Sequence, residues 1–229
     1  MADKASLEKY FAPPKSIGTP VKVIIGGVVC FLIGLSAPIF LLIGLALIGG
    51  GGYWIAQIKA DSGVSDGEVQ AMIDQAAAPA LEAAFNRFGL VKESLIAEPV
   101  VLVGQNFRSK AKKGLDGEWR TAGNVVNVLL FSEKSVHLYT HRYNILEPNN
   151  KSGTTEEYFY RHIVSVSTAE EEFHIKYEEK GKTETVKVRE DILLLRNSGG
   201  EPIKLSAYNS TKLNAAVASA RAVIQERQD

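Results

Sequence analysis

Hydrophobic residues are distributed unevenly along this chain. One long apolar run near the start is followed by a helical periodicity and then by strand-like alternation. The run covers residues 23–58, between Lys22 and Lys59, and holds no Asp, Glu, Lys or Arg in 36 positions. Because a charge at the centre of a bilayer costs roughly 2.5–3.5 kcal/mol, a run of this length predicts a membrane-spanning segment.

The length of the apolar run indicates two spans. As one helix it would be about 54 Å long, against a hydrocarbon core of about 30 Å. Ser36 and Pro38 supply a helix N-cap and a proline suited to a first helical turn in the middle of the run. We therefore expect a transmembrane helical hairpin over residues 20–60, with helices at about 20–35 and 38–58. The alternative is one long tilted or kinked span.

Small residues in the apolar run bear on how its helices pack, and lysines bear on which side of the membrane the N-terminus lies. Gly26, Cys30 and Gly34 recur every four positions, which favours close helix packing and self-association. Residues 1–19 are expected to be a cytoplasmic tail, because lysines are enriched on the cytoplasmic side of membrane segments. The lysines concerned are Lys4, Lys9, Lys15 and Lys22. A hairpin returns the rest of the chain to the cytoplasm, whereas a single span places it outside.

Residues 61–92 are predicted to form an amphipathic neck helix. Ser65 and Glu68 have the spacing of a capping box, and Gly89 suits a C-terminal stop. Pro79 is expected to kink or divide the helix. The apolar face either packs on the chain's own β domain or against other copies of the chain. Four small residues on that face are candidates for self-association: Ala76, Ala77, Ala80 and Ala84.

The hydrophobic period changes from 3.6 towards 2 after Glu98, which indicates strands. A helix is predicted at about 211–225, with Asn209 or Ser210 as its cap. The predicted strand segments are 99–106, 119–131, 135–143, 158–168, 172–178, 183–188, 192–195 and 202–208.

Residues 98–229 resemble a bacterial pleckstrin-homology-like (PH-like) domain. The segments that carry the resemblance are NVVNVLLFSEKSVHLYTHRY, YFYRHIVSVST with Tyr160 to Val166, and the terminal ASARAVIQER. The resemblance implies a barrel or sandwich of about seven strands with a C-terminal helix at one end, and binding of lipid headgroups, peptides or proteins. The long stretch at about 107–118 departs from the pattern. The expected fold class is membrane-anchored α+β.

Composition narrows the possible functions. The net charge of +0 at pH 7 gives no bulk attraction to nucleic acid. Cys30 is the only cysteine, so an intrachain disulfide and a cysteine metal cluster are excluded. The sequence has no P-loop, GxGxxG, HExxH or GxSxG pattern. We expect no catalytic residues, no cofactor and no metal.

A basic segment after the first predicted strand is the main candidate site. It holds Arg108, Lys110, Lys112 and Lys113 in the sequence FRSKAKKG. In lipid-binding PH domains, which these residues resemble in position, this loop holds the phosphate-binding cations. Near an anionic membrane each Lys or Arg contributes about 1 kcal/mol. The alternative is a solvated loop without a ligand.

Other polar and aromatic residues are interpreted as structural. The histidines, with His137 and His141 on one strand face, fit surface or rim positions better than metal ligands. The acidic run 170–172 and the pair 178–179 fit solvated hairpin ends better than catalytic carboxylates. Four aromatic residues fit sheet packing better than a ligand groove: Trp119, Tyr139, Tyr158 and Tyr160.

These features together predict a non-enzymatic scaffold or interaction protein that is anchored in the bacterial inner membrane, presents a cytoplasmic PH-like domain and forms a homo-oligomer. The alternative function is binding or sensing of lipid headgroups through the basic loop 108–113. The expected partners are membrane lipids, other copies of the chain and a protein of unspecified identity. Nucleic acid is not expected.

Overall fold

The computed structural model describes residues 3–12, 18–34, 38–60, 63–179, 182–208 and 210–228. Expectations for Lys15, Ser36 and Asn209 lie outside the described residues. The chain forms two compact units. We call residues 1–65 with 176–185 the hairpin unit, and residues 66–175 with 186–229 the sheet unit. Helices and three sheets give an α+β protein, as predicted.

The hairpin unit begins with a short helix, α1 (Lys4–Phe11), where the sequence predicted only a tail. Asp3 caps it, because its side chain accepts a 2.8 Å hydrogen bond from the Ser6 N–H. Leu7, Tyr10 and Phe11 are buried. The helix has only 8 residues, and two turns are too short for a clear hydrophobic period.

Two apolar helices, α2 (Gly18–Gly34) and α3 (Pro38–Ala60), pack antiparallel. Glycines allow this close packing. A Cβ atom on Gly44 would lie 2.5 Å from the Phe31 backbone nitrogen and 2.7 Å from the Gly27 carbonyl oxygen. A Cβ atom on Gly34 would lie 2.3 Å from the Leu41 nitrogen. The two backbones therefore touch at positions where only glycine fits.

The face that makes this contact differs from the predicted stripe. Of the two glycines in that stripe, Gly26 and Gly34, only Gly34 has a backbone in close contact with the other helix. A Cβ atom on Gly26 would meet nothing within 4 Å, and Cys30 is half-buried. Gly27, and not Gly26, lies in the contact between the two helices. One residue corresponds to about 100° around a helix, so the contact face is rotated from the prediction.

The chain segments before α2 and after α3 meet. Gly63 has a φ of +77°, which side-chain-bearing residues rarely adopt. A Cβ atom on it would lie 2.7 Å from the Ser6 carbonyl oxygen of α1. The start of α2 and the end of α3 therefore lie at the same end of the helical pair.

The sheet unit begins with the neck, which is two helices: α4 (Asp66–Ala77) and α5 (Pro79–Phe88). The predicted division at Pro79 is confirmed, since this proline is in the first turn of α5. The predicted stop is also confirmed, because Gly89 has a φ of +63° at the C-cap. A single 3-10 turn follows at Lys92–Ser94.

Nine strands and a final helix follow in the described part of the sheet unit, with the tip of one strand pair in the hairpin unit. One sheet has the order β1-β4-β5-β6, a second β7-β8-β9, and a two-strand ribbon holds β2 and β3. The bounds are β1 Val100–Gln105, β2 Ala111–Lys113, β3 Trp119–Thr121, β4 Gly123–Phe131, β5 Ser135–Asn144, β6 Ser152–Phe159, β7 Ile163–Glu179, β8 Lys182–Asn197, β9 Ile203–Ser206 and α6 Ser210–Gln228.

Strand boundaries differ from the prediction in several places. The predicted strand 119–131 is divided into β3 and β4, and β2 was not predicted. The predicted strand 158–168 is divided by a 3-10 turn at Tyr160–His162, and β6 begins earlier, at Ser152. All but one residue of this edge strand are exposed, so it has no apolar alternation to detect. The predicted strands at 172–178 and 192–195 are parts of the long strands β7 and β8.

The two central strands of the four-stranded sheet, β4 and β5, are mostly buried on both faces. One face packs against β7–β9 and α6 through a core that includes Leu129, Leu138 and Leu193. The other face packs against α5 through Val128 and Tyr139. This explains why β4 reads as an almost continuous apolar run, because its side chains are buried in both directions.

The neck alanines lie against this sheet. Ala77, Ala80 and Ala84 belong to the same core cluster as the outer face of β4 and β5, and Ala84 is 0% exposed. Ala76 is partly buried beside them. Of the two alternatives for the neck face, packing on the chain's own β domain describes these residues. Their role in self-association stays a prediction.

We predict that Gly44→Ala destabilises the α2–α3 pair by about 1–3 kcal/mol, because the new methyl group overlaps the Phe31 backbone. Gly52→Ala is the matched control on the same helix, since its methyl group meets nothing within 4 Å. The control should be neutral or slightly stabilising because alanine favours helix. Unfolding of the detergent-solubilised protein measures both. Equal effects of the two substitutions would contradict the packing described.

Candidate functional site

The inner face of the four-stranded sheet, which faces β7–β9, changes from apolar to polar along the strands. At one end Phe131 pairs with Val136, and both belong to the core under α6. Towards the other end Asn127 pairs with Thr140, and Thr140 pairs with Thr154. Because α6 covers only the apolar end, the polar end is left open.

This polar end forms an open cleft of about 650 Å³. The size lies within the usual range of small-molecule sites, about 300–1,000 Å³. Asn127 is only 3% exposed and lies in its wall, where its side-chain oxygen accepts a 3.1 Å hydrogen bond from the Thr140 hydroxyl. Asn106, Asn124 and Thr154 add further polar groups to the wall. The lining can therefore satisfy a polar ligand.

Two cations in the cleft are without ion pairs. Among the described residues, neither Arg108 nor Arg142 makes an ion pair, and both line the cleft. Three acidic residues line the cleft among the described residues, and two of them are engaged: Glu171 forms a 3.1 Å ion pair with Lys204, and Glu156 accepts a hydrogen bond from the Tyr158 hydroxyl. The third is Glu201. The guanidinium groups are therefore available to an anion.

The four predicted cations do not converge on one point. Arg108 lines the cleft, whereas Lys110 and Lys113 are exposed elsewhere on the β2 segment. Lys112 is half-buried, and burial lowers its pKa while the Asp66 carboxylate partly restores it. Neighbouring residues of a strand point to opposite faces, so Lys112 and Lys113 cannot act together. Arg142, which the sequence analysis missed, is the cation that accompanies Arg108.

The histidines on β5 are packing residues in this structure. His137 and His141 lie on the same sheet face, as predicted, and Tyr139 lies between them. The His141 ring stacks on Tyr139 and Tyr143, with centroids 6.1 Å and 5.7 Å away, and His137 lies 4.8 Å from the Phe88 ring. Burial lowers the pKa of both histidines. No group of three or more metal-binding side chains occurs among the described residues.

His137 also lies near serine hydroxyls, but without the arrangement of a catalytic triad. Its Nε2 is 3.0 Å from the Ser132 hydroxyl and 3.2 Å from the Ser135 hydroxyl. The nearby carboxylate, Glu157, accepts from Ser135 at 2.6 Å instead of holding the imidazole. The His137 Nδ1 is buried without a partner among the described residues. A base without an orienting group is a poor activator of serine.

The acidic run Glu170–Glu172 lies in the middle of β7, not at a hairpin end as predicted. Cations on β8 and β9 face it. Lys187 is 3.0 Å from Glu172, Arg189 is 3.7 Å from Glu170, and Lys204 pairs with Glu171. The side chains are mostly exposed, so each pair contributes little to stability. Their arrangement is that of cross-strand ion pairs. Glu178 and Glu179 are the last residues of β7.

One buried carboxylate was not recognised from the sequence. Glu190 on β8 is 6% exposed, and one of its oxygens accepts a 3.1 Å hydrogen bond from the Gln105 N–H. The other oxygen has no hydrogen-bond partner among the described residues. Burial is the main cause that raises the pKa of Glu190 to about 7. A signal was present, because Glu190 falls on the alternate positions of buried Val188 and Ile192.

We predict that Glu190 makes stability fall as pH rises from about 4.5 to 7. In this window the unfolded chain loses the proton of Glu190 and the folded protein keeps it, so the folded state is penalised by up to about 3 kcal/mol. Glu190→Gln should remove this part of the pH dependence in thermal unfolding of the full chain. Glu226→Gln, on the exposed side of α6, is the control. Parallel curves for all three proteins would contradict the prediction.

Comparison with known proteins does not identify this chain. No protein-family model matches it, and neither a curated protein nor a solved structure gives a match. Three features of the structure bear on function: the apolar helical pair α2–α3, the polar cleft with Arg108 and Arg142, and the buried carboxylate of Glu190.

Proposed function

We propose that the protein is a non-enzymatic, membrane-anchored scaffold or interaction protein whose α2–α3 pair spans the membrane as a helical hairpin. The observation that carries this is the surface of the pair. Large apolar side chains point outward from both helices, including Ile25, Leu32, Ile39 and Leu42, and the latter two are each 68% exposed. Each such side chain costs about 1.5–3 kcal/mol in water, and a lipid environment removes the cost.

Helix length and hydropathy support the same proposal. One helix is long and apolar enough to cross a bilayer, at Ile39–Gln57, and Thr19–Gly34 is a shorter apolar helix. By its rise per residue α3 is roughly 34 Å long and α2 roughly 25 Å, against about 30 Å of hydrocarbon. Local thinning or the neighbouring helix accommodates the shorter span. Tyr53 and Trp54 near the end of α3 suit the headgroup layer.

The cytoplasmic side is proposed for the sheet unit. Lys4 and Lys9 precede α2, Lys22 lies near its start, and Lys59 is close to the end of α3. Both flanking segments lie on one side of the helical pair, since α1 contacts Gly63. An excess of lysines on that side favours the cytoplasm. The resemblance is to bacterial domains, and in a bacterium a protein with this orientation lies in the inner membrane.

The sheet unit is proposed to be a PH-like domain. The strand order supports this, because four strands in one sheet are followed by three in the second and then by α6. The β2–β3 ribbon occupies the stretch that departed from the sequence pattern. Side chains of α6 cover the free edge of β7, where Arg221 donates to the Val166 carbonyl at 3.1 Å. With the free edge of β7 covered by α6, the cleft and the exposed surface of the sheet unit remain for partners to bind.

Self-association is part of the proposal. The contact between copies would use faces of the helical pair that the pair itself leaves open. Gly26 on α2 and Gly49 and Gly50 on α3 have no neighbour within 4 Å of a Cβ position. Small residues on lipid-facing helices permit close approach of a second helix.

The membrane proposal predicts where single cysteines can be labelled. In a Cys30→Ser background, Asp3→Cys and Glu226→Cys should react with an impermeant maleimide in inverted vesicles and stay unreactive in right-side-out vesicles. Reaction of only the Glu226→Cys protein in right-side-out vesicles would indicate a single span and overturn the proposal.

The native mass of the unsubstituted full-length protein in mild detergent gives the number of copies, and a monomer would contradict self-association.

Recognition of a phosphate-bearing headgroup is the second candidate function. It is favoured by one observation, the two arginines without ion pairs in the cleft. Arginine binds phosphate through paired hydrogen bonds, and a charge-assisted hydrogen bond contributes about 1.5–3 kcal/mol. The ligand site would then be the cleft and not the basic segment 110–113.

We predict that Arg108→Gln and Arg142→Gln each weaken binding of glycerol 1-phosphate to the full chain by about tenfold, the loss of one such bond. Nuclear magnetic resonance titration in detergent measures this, with glycerol as the uncharged probe. Arg87→Gln, on the exposed side of α5, is the control. Equal loss on substituting Lys110 and Lys113 would assign the site to the basic loop instead.

A further inference from the structure

A second, smaller pocket lies in the sheet unit, between the end of β1, the strand β8 and the start of α6. Its volume is about 190 Å³. That is room for about six waters at ~30 Å³ each, and is below the size of a drug-like site. The pocket therefore matches a single long side chain or a small molecule of similar size.

The walls combine aromatic rings with carboxylates. Phe107, Trp119 and Tyr208 contribute the aromatic residues. Glu118, Glu170, Glu190 and Asp191 contribute four acidic residues, and Arg189 is the one basic residue that lines the pocket. Arg189 is already within 3.7 Å of Glu170 and 3.8 Å of Glu172. The uncompensated charge of the lining is negative.

Glu190 distinguishes this pocket from an ordinary acidic patch. It is 6% exposed, and in the part of the chain that the structure describes only one of its oxygens has a hydrogen-bond partner, the Gln105 N–H. A buried carboxylate oxygen without a donor costs free energy, because it has lost water and gained nothing in exchange. A donor that entered the pocket with a positive charge would supply the missing partner.

We propose that this pocket binds the cationic end of an alkylguanidine or alkylamine, with Glu190 as the carboxylate partner and the aromatic residues around the alkyl chain. Arginine and lysine side chains of a partner polypeptide have this chemistry, and so do free amines. A guanidinium can donate to the unpaired oxygen and lie against an aromatic face at the same time. A metal ion is not the ligand, since no group of three metal-binding side chains occurs among the described residues.

The titration of Glu190 gives the proposal a pH signature. Burial, with smaller contributions from the charges of Glu171 and Asp191, raises the pKa of this group to about 7, and the hydrogen bond from the Gln105 N–H acts in the opposite direction. Glu118, Glu170 and Arg189 are the other charged groups around the pocket. Cation binding requires the ionised form, so affinity should increase as pH rises through 7 and then become constant. This inference does not depend on the membrane anchor.

The experiment titrates the full-length protein in detergent with butylguanidinium, butylammonium and the uncharged butylurea. Calorimetry or nuclear magnetic resonance gives the affinities. We expect saturable binding of the cations at pH 8, at least tenfold tighter than binding of butylurea. Glu190→Gln should weaken cation binding at least tenfold, and Glu226→Gln should leave it unchanged. Equal affinity for butylguanidinium and butylurea, or retention of affinity in Glu190→Gln, would overturn the proposal.

The wild-type protein supplies a second measurement if Glu190→Gln does not fold. Butylguanidinium stays charged across the accessible range, so a change in its affinity between pH 5.5 and 8.5 reports on the protein. We expect at least a tenfold increase over that range. An unchanged affinity, or no saturable binding at pH 8, would also overturn the proposal.

The two sources of the ligand are distinguished by one further probe. The capped tripeptide acetyl-Gly-Arg-Gly-amide carries the same guanidinium on a peptide backbone. Binding at least tenfold tighter than that of butylguanidinium would identify a basic side chain of a polypeptide as the ligand. Binding that is tenfold weaker would indicate that the pocket excludes the backbone and takes a free amine or guanidine.

Discussion

The central strands of the four-stranded sheet are apolar on both faces at one end, and the rest of the sheet unit is arranged to cover that part. β4 and β5 lie in the middle of this sheet, and their side chains are buried in both directions. α5 covers one face with alanines, which let a helix lie close to the strands. The second sheet and α6 cover the other face with leucines and valines. Removing either cover would expose a large apolar surface to water.

Incomplete cover of the inner face creates the candidate sites. α6 reaches only the apolar end of that face, and beyond it the paired residues Asn127 and Thr140 are polar. The cleft there holds two arginines without ion pairs, whereas the smaller pocket beside β8 holds mostly carboxylates. The ligands proposed for the two openings of the same sheet unit therefore differ in charge. We propose an anion for the first and a cation for the second.

The hairpin unit follows a different principle, since its helices are held by backbone contact and not by large side chains. Gly27, Gly34 and Gly44 let α2 and α3 touch, and the bulky residues point outward. In water this arrangement is unfavourable, because it leaves the apolar side chains exposed. In lipid it is favourable, since packing of small surfaces between helices does not compete with burial of the large ones.

The sequence by itself determined where helices and strands form. A charge-free run, a proline at position 79 and a change of period near Glu98 specify α2 to α5 and most strands, because these are local signals. Tertiary structure decided which faces meet. It selected Gly27 over Gly26, placed the neck alanines on the sheet, and brought Arg142 beside the cleft of Arg108. Such choices depend on contacts between residues far apart in the chain, and local patterns contain no information about them.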